Sequence, residues 1–155
     1  RLLSVPANKT LSGVQSFLAK MEEQEQEVKR LHRRAMELQA GVLGNEADLS
    51  GGLFVKGLAG EEADELKWLA QEVAAKSGQP VILFVREPKL CAAIASPVGT
   101  FDARVAAQRL AAAFGARGGG TQSFAQVGSK EALVISDEEA SQRIRGLHYD
   151  QLEEG

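Results

Sequence analysis

Apolar residues in the first third of the chain recur every seven positions. Val14, Met21, Val28, Ala35 and Val42 form one series, and Phe17, Gln24, Leu31 and Leu38 form a second that interleaves with it. Only the glutamine breaks the pattern. Two interleaved series of this period are the inward positions of a coiled-coil seam. Ser12 and Gln15 have capping-box spacing, so the pattern predicts one helix from Ser12 to Val42. Charges between Glu22 and Arg34 run from acidic to basic, which suits the helix dipole, and Glu25 stands four residues before Lys29. Most of that charge reads as a solvated face. Gly41, Gly44 and Asn45 are expected to end the helix, with "NEADLSGG" (45–52) as a linker.

The period then changes. "LFVKGL" (53–58) predicts a strand. Residues 61–77 predict a helix with Leu66, Leu69, Ala70, Val73 and Ala74 as its buried stripe. Glu61, Glu62 and Asp64 fall in its first turn and Lys76 in its last, with Gly78 placed as a C-terminal cap and Pro80 as a stop. "VILFVR" (81–86) is continuously apolar, as an interior strand is. Glu87 and Pro88 turn into "KLCAAIAS" (89–96), and so short a loop implies an antiparallel hairpin. A second helix is expected from Asp102 to Phe114, packing Ala106, Leu110, Ala113 and Phe114 inward. A glycine-rich loop follows, then "QSFAQV" (122–127) as a short edge strand, and "SDEEASQRIRGL" from Ser136 as an exposed helix. The expected class is α+β: a long coiled-coil-like N-terminal helix followed by a small mixed α/β sandwich. The corresponding organisation is a helical arm (1–45), an α/β domain (46–135) and a C-terminal helical tail (136–155).

Composition narrows the functional classes. The 155 residues suit one domain, or one domain with an arm. A formal net charge of −3 excludes a strongly basic surface, so nucleic-acid binding would need a local basic patch. Cys91 is the single cysteine, which excludes an internal disulfide and points to a reducing, cytoplasmic setting. No apolar run approaches the ~20 residues of a membrane span, so no membrane partner is expected. The chain starts at Arg1 rather than methionine, and is expected to be a piece of something longer.

Candidate chemistry centres on "GARGGGTQSFAQVG" (115–128), which holds five of the sixteen glycines. Gly115 and Gly120 have P-loop spacing, but Thr121 stands where the lysine should be. The dinucleotide fingerprint needs strand, loop and helix in that order. Here the predicted order is helix to strand, which brings the partial negative charge of a helix C-terminus to the loop. That polarity argues against a mononucleotide site. Consecutive glycines can still present unshielded amides as an anion nest, with Arg117 adding a bidentate contact; a purely structural connector is the alternative. His32 and His148 lie far apart with no partner at metal-ligand spacing, and Cys91 falls in an apolar strand. No nucleophilic triad or paired carboxylates can be assembled. The chain by itself does not read as an enzyme, and no cofactor or metal is expected. Trp68 falls off the buried stripe of its helix, which favours packing on a neighbouring segment or subunit over stacking on a base.

"LAAAFGARGGGTQSFAQVGS" resembles the glycine-rich signature that closes the DHHA1 domain of alanyl-tRNA synthetases, in which Gly-Gly-Lys-Gly-Gly-Gly leads to Ala-Gln and a further glycine. Gly115, Gly118, Gly119, Gly120, Ala125, Gln126 and Gly128 match it. Arg117 stands at the lysine position and keeps its charge; Ala116 and Ser129 replace glycines. The order upstream agrees: a "RLLSVPANKT" entry, a long helix, a strand, a helix led by "ADELKWLAQEV", a hairpin and a second helix. The aminoacylation core is absent, as are the histidine and Cys/His zinc signatures of the editing domain and the Asp-His-His motif of the related phosphoesterases.

The resemblance implies a DHHA1-like fold from the C-terminal region of an alanyl-tRNA synthetase or of a free-standing editing protein of the AlaX type. In that family the region grips the tRNA elbow and often mediates dimerisation, while other domains do the chemistry. The implied function is a tRNA-binding accessory domain, with tRNA(Ala) as the expected partner and an alanine-tRNA ligase or alanyl-tRNA editing hydrolase as the parent. Arg117, Gly118, Gly119, Gly120, Gln126 and Lys130 are the expected contact residues, extended by Arg104 and Gln108 on the helix before the loop. The alternative is a coiled-coil dimerisation module without RNA affinity, with Val14, Met21, Val28, Leu31 and Leu38 as the seam; a phosphoesterase fragment is a more distant third reading. Under the dimer reading, deleting residues 1–45 is expected to leave a folded monomer.

Overall fold

The computed structural model describes residues 7–50, 52–60, 62–97, 99 and 101–147. Glu61 and His148, named above, lie outside them. The chain divides into two compact units, Arg1–Gln39 and Ala40–Gly155.

Helix α1 runs from Ala7 to Ser50, longer at both ends than its heptads suggest. Ser12 and Gln15 lie inside it, so they form no cap. It also passes through Gly41, Gly44 and most of the stretch expected to be a linker. Each mid-helix glycine costs about 1 kcal/mol relative to alanine. Burial offsets that cost: Ala40, Leu43 and Ala47 are all buried, and tertiary packing of this kind overrides propensity. Gly44 has its own reason to be small, since a Cβ there would stand 3.4 Å from Lys76 Cβ. A cut at residue 45 would remove the buried Ala40 and Leu43, and the boundary between the two compact units falls after Gln39. Within the first unit, Val14, Phe17, Met21, Val28, Leu31 and Leu38 are exposed. Arg30 pairs with Glu27 there at 2.6 Å, and its hydrogen bond holds the Glu27 carboxyl below its usual range.

The second unit is built on a five-stranded sheet. In chain order the elements are strand β1 (Phe54–Leu58), helix α2 (Ala63–Ser77), strands β2 (Val81–Val85) and β3 (Cys91–Ala95), helix α3 (Ala103–Phe114), strands β4 (Arg117–Gly120) and β5 (Phe124–Gly128), and helix α4 (Asp137–Arg145). The spatial order is β1-β2-β3-β5-β4. β1 and β2 are parallel, joined through α2, and the remaining pairs are antiparallel. This is the expected α+β class, with a long helix followed by a mixed sheet sandwiched between helices.

Helix α2 buries Leu66, Leu69, Ala70, Val73 and Ala74, the stripe its periodicity predicts. Gly78 ends it in the left-handed conformation, donating to the Ala74 carbonyl. β2 is buried along its whole length, as an interior strand with helices on both faces must be. Asp102 caps α3 by accepting from the Arg104 and Val105 amides.

Three expectations change. In α3 the inward residues are Ala103, Ala106, Ala107, Leu110 and Ala111, with Phe114 half-buried against the same core, while Ala113 at the margin of the stripe is exposed. The glycine run is no loop: Arg117–Gly120 is strand β4, and it takes the sheet edge that was expected for "QSFAQV". The reason is steric. A Cβ at Gly118 would stand 2.8 Å from the Ala107 carbonyl oxygen, so glycine lets α3 lie directly on this strand. Finally, the polar tail is not simply exposed, because Ala140 and Ile144 of α4 are fully buried. α4 is capped by Ser136, which accepts from the Glu139 amide at 3.1 Å, and held by Arg86, which donates to Asp137 and to the Ile135 carbonyl.

Candidate functional site

Strand alternation sorts the sheet into two faces. Val55, Ile82, Phe84, Ala92, Ile94, Ala125 and Val127 point to one face, where they share a core with α3 and α4. Their neighbours Phe54, Val81, Leu83, Val85, Ala93 and Ala95 are buried on the other, the side on which α2 covers β2 and β3. α2 stops short of the outer two strands. On its side of the sheet, Arg117 and Gly119 of β4 and Gln126 and Gly128 of β5 are all exposed.

The result is a shallow groove floored by glycine. Ala63 at the start of α2 forms one wall, and Cys91, Arg117, Gly119, Gln126 and Gly128 line the rest. Register puts Gln126 opposite Gly119, and Gly128 between Arg117 and Cys91. Phe124 lies two residues before Gln126 on the same face, half-buried, with Lys67 Nζ of α2 at 5.5 Å from its ring centroid. Three different side chains therefore rise from the open half-face: a ring, an amide and a guanidinium.

Cations stand at both ends of the open half-face, with Lys67 over the Phe124 ring and Arg117 at the Gly128 end. Arg117 faces Gly128, and exposed Lys130 follows two residues on. Lys89 is exposed just ahead of β3, close enough to act on Cys91. At the opposite wall the first turn of α2 carries Asp64 and Glu65, which oppose any phosphate drawn to that helix end. Burial pushes the Cys91 thiol pKa up, more than Lys89 pulls it down, which disfavours the thiolate. Among the described residues, no three His, Cys, Asp or Glu side chains could hold a metal ion, and no helix is long and apolar enough to cross a membrane.

The structure brings Arg117, Gly119 and Gln126 together in the groove. Gly118 sits beside them with its α-carbon turned toward α3, Gly120 closes the strand against Ala125, and Lys130 stands beyond the end of β5. Arg104 and Gln108 are exposed, but on α3, which covers the opposite face of β4 and β5. They do not join the groove. Lys67, Phe124 and Lys89 were missed. The two-residue step from Phe124 to Gln126 was a usable signal once the segment is a strand; the approach of Lys67 depends on how α2 packs, which no local pattern carries. Trp68 is half-buried on α2.

Comparison with known proteins agrees with this architecture. The DHHA1 domain model matches residues 50–147. The C-Ala domain of Aquifex aeolicus alanyl-tRNA synthetase superposes with a TM-score of 0.52 at 19% identity, over 60% of this chain and 86% of that one. RecJ of Thermus thermophilus, solved with Mn2+, gives a TM-score of 0.55 at 16% identity, over 73% of this chain but only 16% of that one. No curated protein matches the sequence. A family model covering most of the chain, on a sheet of the same fold, settles the assignment: the chain belongs to the DHHA1 domain family.

Proposed function

We propose that this chain is the tRNA-binding accessory domain of a cytoplasmic alanyl-tRNA synthetase or alanyl-tRNA editing protein, holding tRNA while another domain does the chemistry. The observation that carries this reading is the uncovered half-face of the sheet. A glycine floor lets a ligand approach the backbone closely, and Arg117 and Lys130 supply positive charge at one end of it. The match to a C-Ala fold supports tRNA as the ligand. With a net charge of −3, affinity comes from this local patch rather than from the protein's overall field.

The test is to titrate the chain with tRNA(Ala) and a non-cognate tRNA at several salt concentrations. Binding that weakens linearly in log salt supports the reading; no binding at low salt removes it. Arg117→Ala is expected to lose about 1–3 kcal/mol of binding free energy, as for a charge-assisted hydrogen bond, and to reduce the salt slope by about one ion. Its thermal midpoint should stay at the parent's, because all of β4 is exposed.

The exposed seam favours a second property, homodimerisation through the arm. Val14, Phe17, Met21, Val28, Leu31 and Leu38 have the heptad spacing and are each more than 40% exposed. The intact chain should sediment as a dimer at micromolar concentration. Removing residues 1–39 should give a monomer that melts like the parent, since the buried Ala40, Leu43 and Ala47 are retained. A chain that stays monomeric up to high micromolar concentration would rule the seam out.

A further inference from the structure

The open half-face is more specialised than a phosphate patch. Phe124, Gln126 and Arg117 rise from it in a row, and their neighbours on that face are Ala93, Ala95, Gly119, Gly128 and Cys91. Those neighbours are small, which leaves the Gln126 amide exposed and the Phe124 ring half-exposed. The ring face toward α2 is met by the Lys67 ammonium at 5.5 Å, and Lys67 is itself exposed. A hydrated ammonium on a flexible stem can swing away, whereas a packed side chain could not.

We infer that this face is a platform for an unpaired RNA base, with Phe124 as the stacking surface, Gln126 reading the base edge, and Lys67 and Arg117 holding the flanking phosphates. The inference rests on the RNA reading above and narrows its ligand from tRNA as a charged surface to an unstacked nucleotide. A ring beside an amide on an open sheet suits a splayed-out base, since every base offers a π-face to stack and an edge to hydrogen-bond. A paired helix keeps its base faces stacked on one another and its Watson–Crick edges occupied, leaving only the groove edges. Lys67 stands over the ring and Arg117 lies opposite Gly128, two residues past Gln126, so a backbone can run between the two cations while one base turns inward.

The experiment uses the full chain and four fluorescein-labelled probes: tRNA(Ala), a short unpaired RNA, the same strand with abasic sites, and its blunt duplex. The unpaired RNA should bind more tightly than both the duplex and the abasic strand, by about 5- to 150-fold for each base stacked. Phe124→Leu should weaken unpaired RNA by a similar factor, and Phe124→Trp should restore it. The abasic comparison needs no substitution, so the test survives if Phe124→Leu folds poorly. If the abasic strand or the duplex binds as tightly as the unpaired strand, the platform is overturned. If tRNA binding falls with Arg117→Ala but is untouched in Phe124→Leu, the RNA reading stands and the stacking role is lost. If no RNA binds at low salt, both fall.

Discussion

Gly120→Ala should lower stability by about 2–5 kcal/mol, the sum of overpacking and unfavourable backbone conformation, visible as a fall in Tm of roughly 4–20 °C. A Cβ at Gly120 would lie 2.5 Å from both Ala125 Cα and the Phe124 carbonyl oxygen, and the residue sits at φ +154°. Backbone cannot yield as a flexible side chain could. Gly118→Ala should be nearly as damaging, since its Cβ would press on the Ala107 carbonyl at 2.8 Å and on Val127 at 3.0 Å. Gly119, between them, should behave oppositely. Its φ is not positive and a Cβ there meets nothing within 4 Å, so Gly119→Ala should change stability by no more than about 0.5 kcal/mol. Any effect of that variant must then appear in binding, with Gly119→Val worse for tRNA than Gly119→Ala because the branched side chain projects further over the groove. Melting curves and tRNA titrations on the three variants separate the roles. Parent-like binding by Gly119→Val would remove this strand from the RNA site.

The same three residues show what the sequence could and could not disclose. Their spacing and their arginine identify the family signature without any structure. Their conformation was not legible, because glycine has no strand preference to read; the run becomes a strand only because β5 pairs with it and α3 presses on Gly118. Helix α2 was legible down to each buried residue, since an amphipathic stripe and a glycine cap are local signals. The end of α1 was not, because its glycines argue for a stop and only the burial of Ala40, Leu43 and Ala47 overrides them. For the site, Arg117, Gly119 and Gln126 come from the motif, whereas Arg104 and Gln108 were placed by nearness in sequence. A helix that packs on a sheet carries its exposed residues to the far side, and that decides against joining them to the groove.

Ile144→Ala is expected to destabilise the chain by about 2–5 kcal/mol, the range for deleting a buried Ile side chain. The segment that holds it reads as a polar tail: α4 is "DEEASQRIR", with acidic residues filling its first turn and Arg143 and Arg145 in its last. Its two apolar residues, Ala140 and Ile144, are four apart on one face and both fully buried. They share a core with Val55 and Phe84, while Asp137 fits against the sheet where a Cβ on Gly57 would stand 2.8 Å from its Cγ. Arg145 adds a hydrogen bond to the Val55 carbonyl at 3.3 Å, engaging β1, the sheet edge opposite β4. The helix is thus a closing wall of the core rather than an appendage. Arg143→Ala is the matched control, because its pair with Glu139 at 3.2 Å is solvent-exposed on both sides and is worth no more than about 0.5 kcal/mol. Urea denaturation of the two variants gives the comparison directly. A midpoint for Ile144→Ala that coincides with that of Arg143→Ala would mean that α4 does not close the core in solution. A large shift confined to Ile144→Ala would show that α4 contributes to the stability of the core, so that any shortened chain used in the tRNA titrations should keep it.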